Sequence, residues 1–160
     1  MPAPDSSRQM LRHTLATLAY RAAKTLRDAS ESFAAYSTGA NGRSPIQILA
    51  HMGDLMDWGL SMANGKKEWH DSTPLPWSKE VERFFKSTQA FDGFLASEQP
   101  LSYPPEKLFQ GPVADALTHT GQLAMLRRLA SCPIRGENYF RAEISAGRVG
   151  SDQAEPKQEF

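Results

Sequence analysis

Three side chains of metal-ligating type fall where helical periodicity turns them toward a shared face: His51, Asp115 and His119. Asp115 and His119 stand four apart, and residues at i and i+4 of a helix project side by side about 5–6 Å apart, close enough to reach one ion. Gln122, Leu126 and Leu129 continue the same stripe, so the run 115–129 is polar in its first half and apolar in its second. A carboxylate, an imidazole and an amide are costly to bury without partners. That turn therefore faces either water or a site.

His51 lies on another apolar face and supplies a third ligand, giving a 2-His-1-carboxylate set of the kind that helices in a bundle core support. Three protein ligands leave coordination positions open to water or substrate, which is the catalytic rather than the structural arrangement. Gln122, one turn beyond His119, is placed to orient that histidine or a substrate. Asp54, three residues after His51, is placed to orient His51 in the same way. The alternative puts Asp115 at the surface and satisfies His119 with a backbone carbonyl or a nearby side chain. His13 points off the apolar stripe of its helix, and His70 sits in a linker, so both read as surface histidines.

Four helices must carry these residues. The spacing of Leu11, Leu15, Leu18, Ala22 and Leu26 predicts a first helix from Ser6 to about Ser32. Two glycines and an asparagine in 38–43 predict a loop. Ser44-Pro45 starts a second helix, since serine can cap free amides and proline at the first position needs no donor. Gly65 ends it, after Ile48, Leu49, Met52, Leu55, Met56, Trp58, Leu60 and Met62. The stretch 65–76 has no helical period and is long enough to cross the length of a helix, so the second and third helices can run parallel. Trp77-Ser78 opens the third, with Val81, Phe84, Phe85, Thr88, Phe91, Phe94 and Leu95 on one broad face. Prolines near 100–105 break it, and Gly111-Pro112 starts or kinks a fourth helix running to about Ser131. A loop and short helix follow, with Tyr139, Phe140 and Ile144 packing on the bundle, and 151–160 reads as a disordered polar tail. No strand pattern is present, so the class is all-α.

Composition narrows the function. In 160 residues, 18 Lys and Arg balance 18 Asp and Glu without a block of like charge, which argues against an electrostatic grip on nucleic acid. No stretch is long and apolar enough for a membrane, and the opening residues lack a leader pattern, so the cytoplasm is the expectation. The single cysteine, Cys132, excludes an internal disulfide and reads as a small buried hydrophobe. Arg127 and Arg128 read as having a surface or helix-end role, since cations near a helix C-terminus are favoured.

The run His119-Thr-Gly-Gln122-Leu-Ala-Met-Leu-Arg127-Arg128-Leu, with Leu49-Ala-His51-Met-Gly-Asp in the second helix, resembles the DinB/YfiT-like superfamily of metalloenzymes. This is the damage-inducible helical-bundle family, not the DNA polymerase that shares its name. The likeness covers roughly residues 7–132, and the motifs around 133–140 and 147–150 resemble a subgroup of unknown function. It implies one domain over 1–150, a four-helix bundle of up-down-down-up order with a long crossover between helices two and three and a short extra C-terminal helix. It also implies one divalent ion, Zn or Ni first and Fe or Mn next, held by His51, His119 and a third histidine. In this chain Asp115 stands where that histidine would be, which makes the site harder and richer in oxygen. The implied function is a metal-dependent hydrolase, or a transferase using a low-molecular-weight thiol, acting on a small molecule as a homodimer. The alternative is a catalytically silent dimeric bundle that binds a ligand or serves as a stress-related interaction protein.

Overall fold

A computed structural model describes residues 5–39 and 41–160; the leader expectation drawn from residues 1–4 lies largely outside them. The architecture is all-helical. Helix α1 spans Ser6–Leu26, α2 Glu31–Ala34, α3 Pro45–Ala63 and α4 Trp77–Ala96. A short α5, Pro105–Leu108, runs through a π-helical segment, Phe109–Val113, into α6, Ala114–Leu129. Among the described residues no helix is long and apolar enough to cross a membrane.

Local chemistry explains the boundaries. The Asp5 carboxylate caps α1 by accepting from the amides of Ser7 and Arg8. The first helix stops at Leu26 and does not reach Ser32, because Asp28 turns left-handed with φ 59° and Ser30 starts the separate turn α2 by accepting from Phe33. At the start of α3 the Gln47 side chain reaches back to accept from the Ser44 amide at 2.9 Å. Its end is set by Gly65, whose φ of 84° suits glycine and whose missing Cβ would sit 2.7 Å from Ser102 Oγ.

Pro112 has no amide proton to give an α-helix and its ring crowds the carbonyl one turn back. The chain absorbs it by widening into the π segment, where the Ala114 amide reaches the Phe109 carbonyl five residues earlier. Pro112 thus neither starts the helix nor breaks it.

The core lies where α1, α3, α4 and α6 meet, filled by Leu15, Leu18, Leu49, Met52, Met56, Phe84, Phe91 and Leu123, all essentially without exposure. Helices α3 and α4 pack most closely. A Cβ on Gly59 would lie only 2.5 Å from Phe91 Cε1, so the glycine admits that ring. On α6 the buried residues are Ala116, His119, Thr120, Leu123 and Arg127. The stripe anticipated as core-facing is rotated to one edge of that face, leaving Gln122 exposed and Leu129 54% exposed.

Arg127 is a correction to the surface reading. Its guanidinium is buried and donates to the carbonyls of Thr25, Arg27 and Cys132. Those of Thr25 and Arg27 belong to the frayed end of α1, where carbonyls have no partner within the helix. Arg128 is exposed, and Cys132 is half-buried against the core as a small hydrophobe would be.

The C-terminal segment differs from expectation in two ways. The short helix is a single 3-10 turn, Tyr139–Arg141, and Phe140 stands 97% exposed, while Tyr139 packs edge-on against Tyr20 and under the Arg21 guanidinium. Residues 151–160, read as a disordered tail, lie back on the bundle. Gln158 and Gly136 carbonyls accept from Asn138 and Phe160, and Lys24 bridges Glu137 and Glu159 at 2.7 and 2.8 Å. A buried carboxylate needs such partners; Tyr20 donates to Glu137 as well, and burial followed by that bond pushes the Tyr20 hydroxyl well above its ordinary range. A composition-based reading of the tail sees its polarity but not these ion pairs with α1.

Candidate metal centre

Helices α3 and α6 bring His51, Asp115 and His119 together at the edge of the core. Asp115 lies two residues beyond the end of the π segment and keeps 45% of its side-chain surface exposed, whereas the two imidazoles are mostly covered. The rings of His51 and His119 meet edge-on with centroids 4.9 Å apart. Nε2 of His51 lies 3.5 Å from Asp115 Oδ2, and Nε2 of His119 lies 3.4 Å from Asp115 Oδ1. One ligating atom from each residue falls within 4.8 Å of the others, so the group could hold a metal ion.

These separations are informative. Charge-assisted hydrogen bonds between nitrogen and a carboxylate settle at about 2.7–2.9 Å. Two ligands of one tetrahedral ion, each about 2.1 Å from it, stand roughly 3.4 Å apart. The Asp115–histidine distances, each to a different carboxylate oxygen, exceed the first figure and lie near the second. The donor set, two imidazole nitrogens and a carboxylate oxygen, suits a divalent transition metal.

Gln122 completes the arrangement of His119. Its Oε1 lies 2.7 Å from His119 Nδ1, and an amide oxygen can only accept, so the proton sits on Nδ1 and the Nε2 lone pair points toward Asp115 and His51. The i, i+3 spacing on one helix turn made this pairing visible in the sequence.

Asp54 does not serve His51. It lies on the α4 side of α3, where its carboxylate accepts from the amide and hydroxyl of Ser72 at 2.9 and 2.6 Å and from Arg83 at 3.0 Å. His70 approaches Asp54 and Asp57 at 3.2 and 3.3 Å, so it is pinned to α3 with its outer half exposed, whereas His13 is fully at the surface. Asp54, Asp57 and His70 are also close enough to share an ion, but Arg83 already fills the cation position, 3.0 Å from Asp54 and 3.5 Å from Asp57. Arg83 also bonds Glu80 and the Ala50 carbonyl, and Glu80 accepts from the Leu75 amide. This network fastens the 64–76 crossover to α3 and α4.

The residue that sequence reasoning missed is Trp69. Its ring meets His51 edge-on at 5.7 Å and Trp58 at 5.8 Å, above the site. A large aromatic inside an otherwise polar linker was the one available signal.

Burial holds the His51 pKa below the ordinary histidine value, helped by the charge of Arg43 and by His119, while Asp115 pulls the other way. A neutral imidazole is the ligating form. Because the folded state resists protonation more than the unfolded chain does, stability is lost as pH falls from about 6.5. In urea titrations of metal-free protein, the stability of wild type relative to His51→Gln is expected to shrink between pH 7.5 and 5.5. A constant difference would show that the imidazole environment contributes nothing.

No family model, curated protein or solved structure matches the chain.

Proposed function

We propose that the chain is a metal-dependent enzyme of the DinB/YfiT-like kind, a hydrolase or a low-molecular-weight-thiol transferase acting on a small molecule. In this reading α1, α3, α4 and α6 are the four helices of the bundle, with α3 and α4 parallel across the 64–76 crossover. One divalent ion, Zn or Ni before Fe or Mn, is held by His51, Asp115 and His119. The observation that carries the proposal is the 3.4 and 3.5 Å spacing of the Asp115 oxygens from the two imidazole nitrogens, which suits a shared ion better than direct hydrogen bonds.

Bound there, such an ion supplies Lewis acidity that lowers the pKa of a coordinating water or thiol toward neutrality. The chain's own contribution is positional. Gln122 keeps the His119 proton on Nδ1, α6 spaces Asp115 and His119 by one turn, and the half-exposed Asp115 leaves the outward side open to a substrate. The indole of Trp69 packs edge-on against His51 and that of Trp58 packs against Trp69.

Elemental analysis of protein purified from its source tests the metal. About one divalent ion per chain is expected, lost in His51→Ala and His119→Ala, with Gln122→Leu weakening affinity about 10- to 100-fold without abolishing it. No metal in wild type, and no thermal shift with added Zn²⁺ or Ni²⁺, overturns the reading. Adding glutathione to the Co²⁺ form separates the two reaction classes: a sulfur-to-metal absorption band in the near ultraviolet favours the transferase, its absence the hydrolase.

A second reading, the silent dimeric bundle that binds a ligand or partner, draws on a different observation. Met10, Phe109, Met125 and Leu129 are 66%, 45%, 52% and 54% exposed on α1, the π segment and α6, and a groove of about 720 Å³ runs beside Met10 and Phe109. A metal-free dimer in sedimentation would favour it.

A further inference from the structure

We propose that Trp69 is the specificity wall of the candidate metal centre, and that ligands reaching the metal position carry a neutral, planar apolar group that lies on its indole. The proposal rests on the metal reading above and assigns the class of substrate to it.

The indole is in the right place. It contacts the outer histidine of the triad edge-on at 5.7 Å and continues through Trp58, at 5.8 Å, toward the π segment that precedes Asp115. There Trp58 lies 3.5 Å from where a Cβ on Gly111 would be, an ordinary packing distance that places its indole against the π segment. The two indoles thus form a continuous aromatic surface that begins at the His51 ring.

The wall is also held still while left partly bare. Trp69 is 44% exposed, so part of its indole is free to meet a ligand while the rest packs on His51 and Trp58. Yet its neighbours on both sides are fastened. The Glu68 amide donates to Ser61 Oγ at 3.0 Å, and Ser61 Oγ donates to the Glu68 carbonyl at 2.9 Å. On the other side His70 rests on Asp54 and Asp57, and Ser72 donates twice to Asp54. Asp54 is in turn held by Arg83. A linker that only joined two helices would gain nothing from such ordering, which costs conformational entropy. A rigid aromatic beside a reactive position gains affinity, because its rotamer entropy is lost on folding and not on binding.

Charge selects the chemistry of what the wall takes. The ion itself is doubly positive, so a cationic group would be repelled despite the indole's attraction for cations. A neutral aromatic or flat aliphatic group has no such conflict.

Two hydroxamic acids with the same chelating head test this: acetohydroxamic acid, with a methyl group, and benzohydroxamic acid, with a phenyl ring. Their dissociation constants are measured by calorimetry on Ni²⁺-loaded wild type, Trp69→Ala and Trp69→Phe, with metal content and thermal unfolding checked for each. The ratio in Trp69→Ala gives the intrinsic preference of the metal for the two heads. Wild type should favour the phenyl compound tenfold or more beyond that ratio, and Trp69→Phe should keep most of the preference. All three proteins should bind one Ni²⁺ and hold acetohydroxamic acid within about twofold of one another. Metal uptake with the same ratio in wild type and Trp69→Ala overturns the assignment of Trp69 alone. Failure of wild type to take up metal overturns the metal reading and this proposal with it.

Discussion

Arg83→Met is expected to lower the unfolding free energy by about 3–5 kcal/mol, the usual consequence of removing one partner from a buried charge cluster. Glu80 has no exposure and Asp54 only 3%, and Arg83 is the cation that neutralises both, at 2.8 and 3.0 Å. Its side chain is itself only 20% exposed, so solvent screens the pairs little. The Ala50 carbonyl loses its 2.6 Å donor in the same step. For a chain of this length the melting temperature should fall by roughly 10 °C. Neutralising the stranded carboxylate in Glu80→Gln/Arg83→Met should recover part of the loss, because much of the cost is an unpaired charge and not a missing contact. Equal stability of the single and double variants would refute the charge argument. Limited proteolysis supplies a second measure: with Asp54 released, cleavage in 66–73 should quicken while the rest of the chain stays protected.

The second large effect is expected at Arg127. Arg127→Ala removes three hydrogen bonds from a buried guanidinium to the carbonyls of Thr25, Arg27 and Cys132, at 2.9, 2.6 and 2.8 Å. Bonds to a charged donor contribute about 1.5–3 kcal/mol each and do not add fully, so a net loss of about 3 kcal/mol follows. Arg127→Lys should fall between wild type and alanine, since one ammonium cannot span three carbonyls held by a planar fork. The neighbouring Arg128→Ala, exposed at the surface, should shift the midpoint of urea unfolding by no more than a few tenths of a kcal/mol. If the Arg127 and Arg128 variants unfold alike, the bridge between the ends of α1 and α6 is not a stabilising feature.

Those two arginines show where a sequence stops being readable. They are adjacent and chemically identical, and the residues that distinguish them, Thr25 and Arg27, lie about 100 positions away. The same holds for Asp54, whose partners Ser72 and Arg83 come from the crossover and α4, and for Glu159, whose partner Lys24 is on α1. Features carried by local chemistry were legible. Ser44-Pro45 and Gly65 bracket α3, the aromatic period marks α4, and the spacing of Asp115, His119 and Gln122 places all three on one edge of α6. His51 was legible as the partner of that edge because it is the one histidine on an apolar helical face. The stripe of α6 was misjudged by about one position, since Thr120 and Arg127 turn inward while Leu129 turns out. A polar side chain with a buried partner and an apolar one without a neighbour both defeat a pattern of hydrophobicity.

The widened turn before Asp115 bears on how this chain tolerates insertions and deletions. A π segment accommodates one residue more than an α-helix of the same rise would, so Phe109–Val113 has the form of a single-residue insertion absorbed within one turn. Losing a residue there, Gly111 for instance, would return the stretch to α pitch and leave Pro105–Leu108 at about the same angle around the helix axis, with the Pro112 ring now pressed against the preceding α turn. Leu108, now essentially buried, would keep its seat in the core, and Asp115 and His119 would stay where Leu123 and Arg127 anchor them. The ligand pair is thus indexed to the downstream half of the helix, and the loss of one residue upstream would be registered as strain at Pro112 rather than as a displaced site.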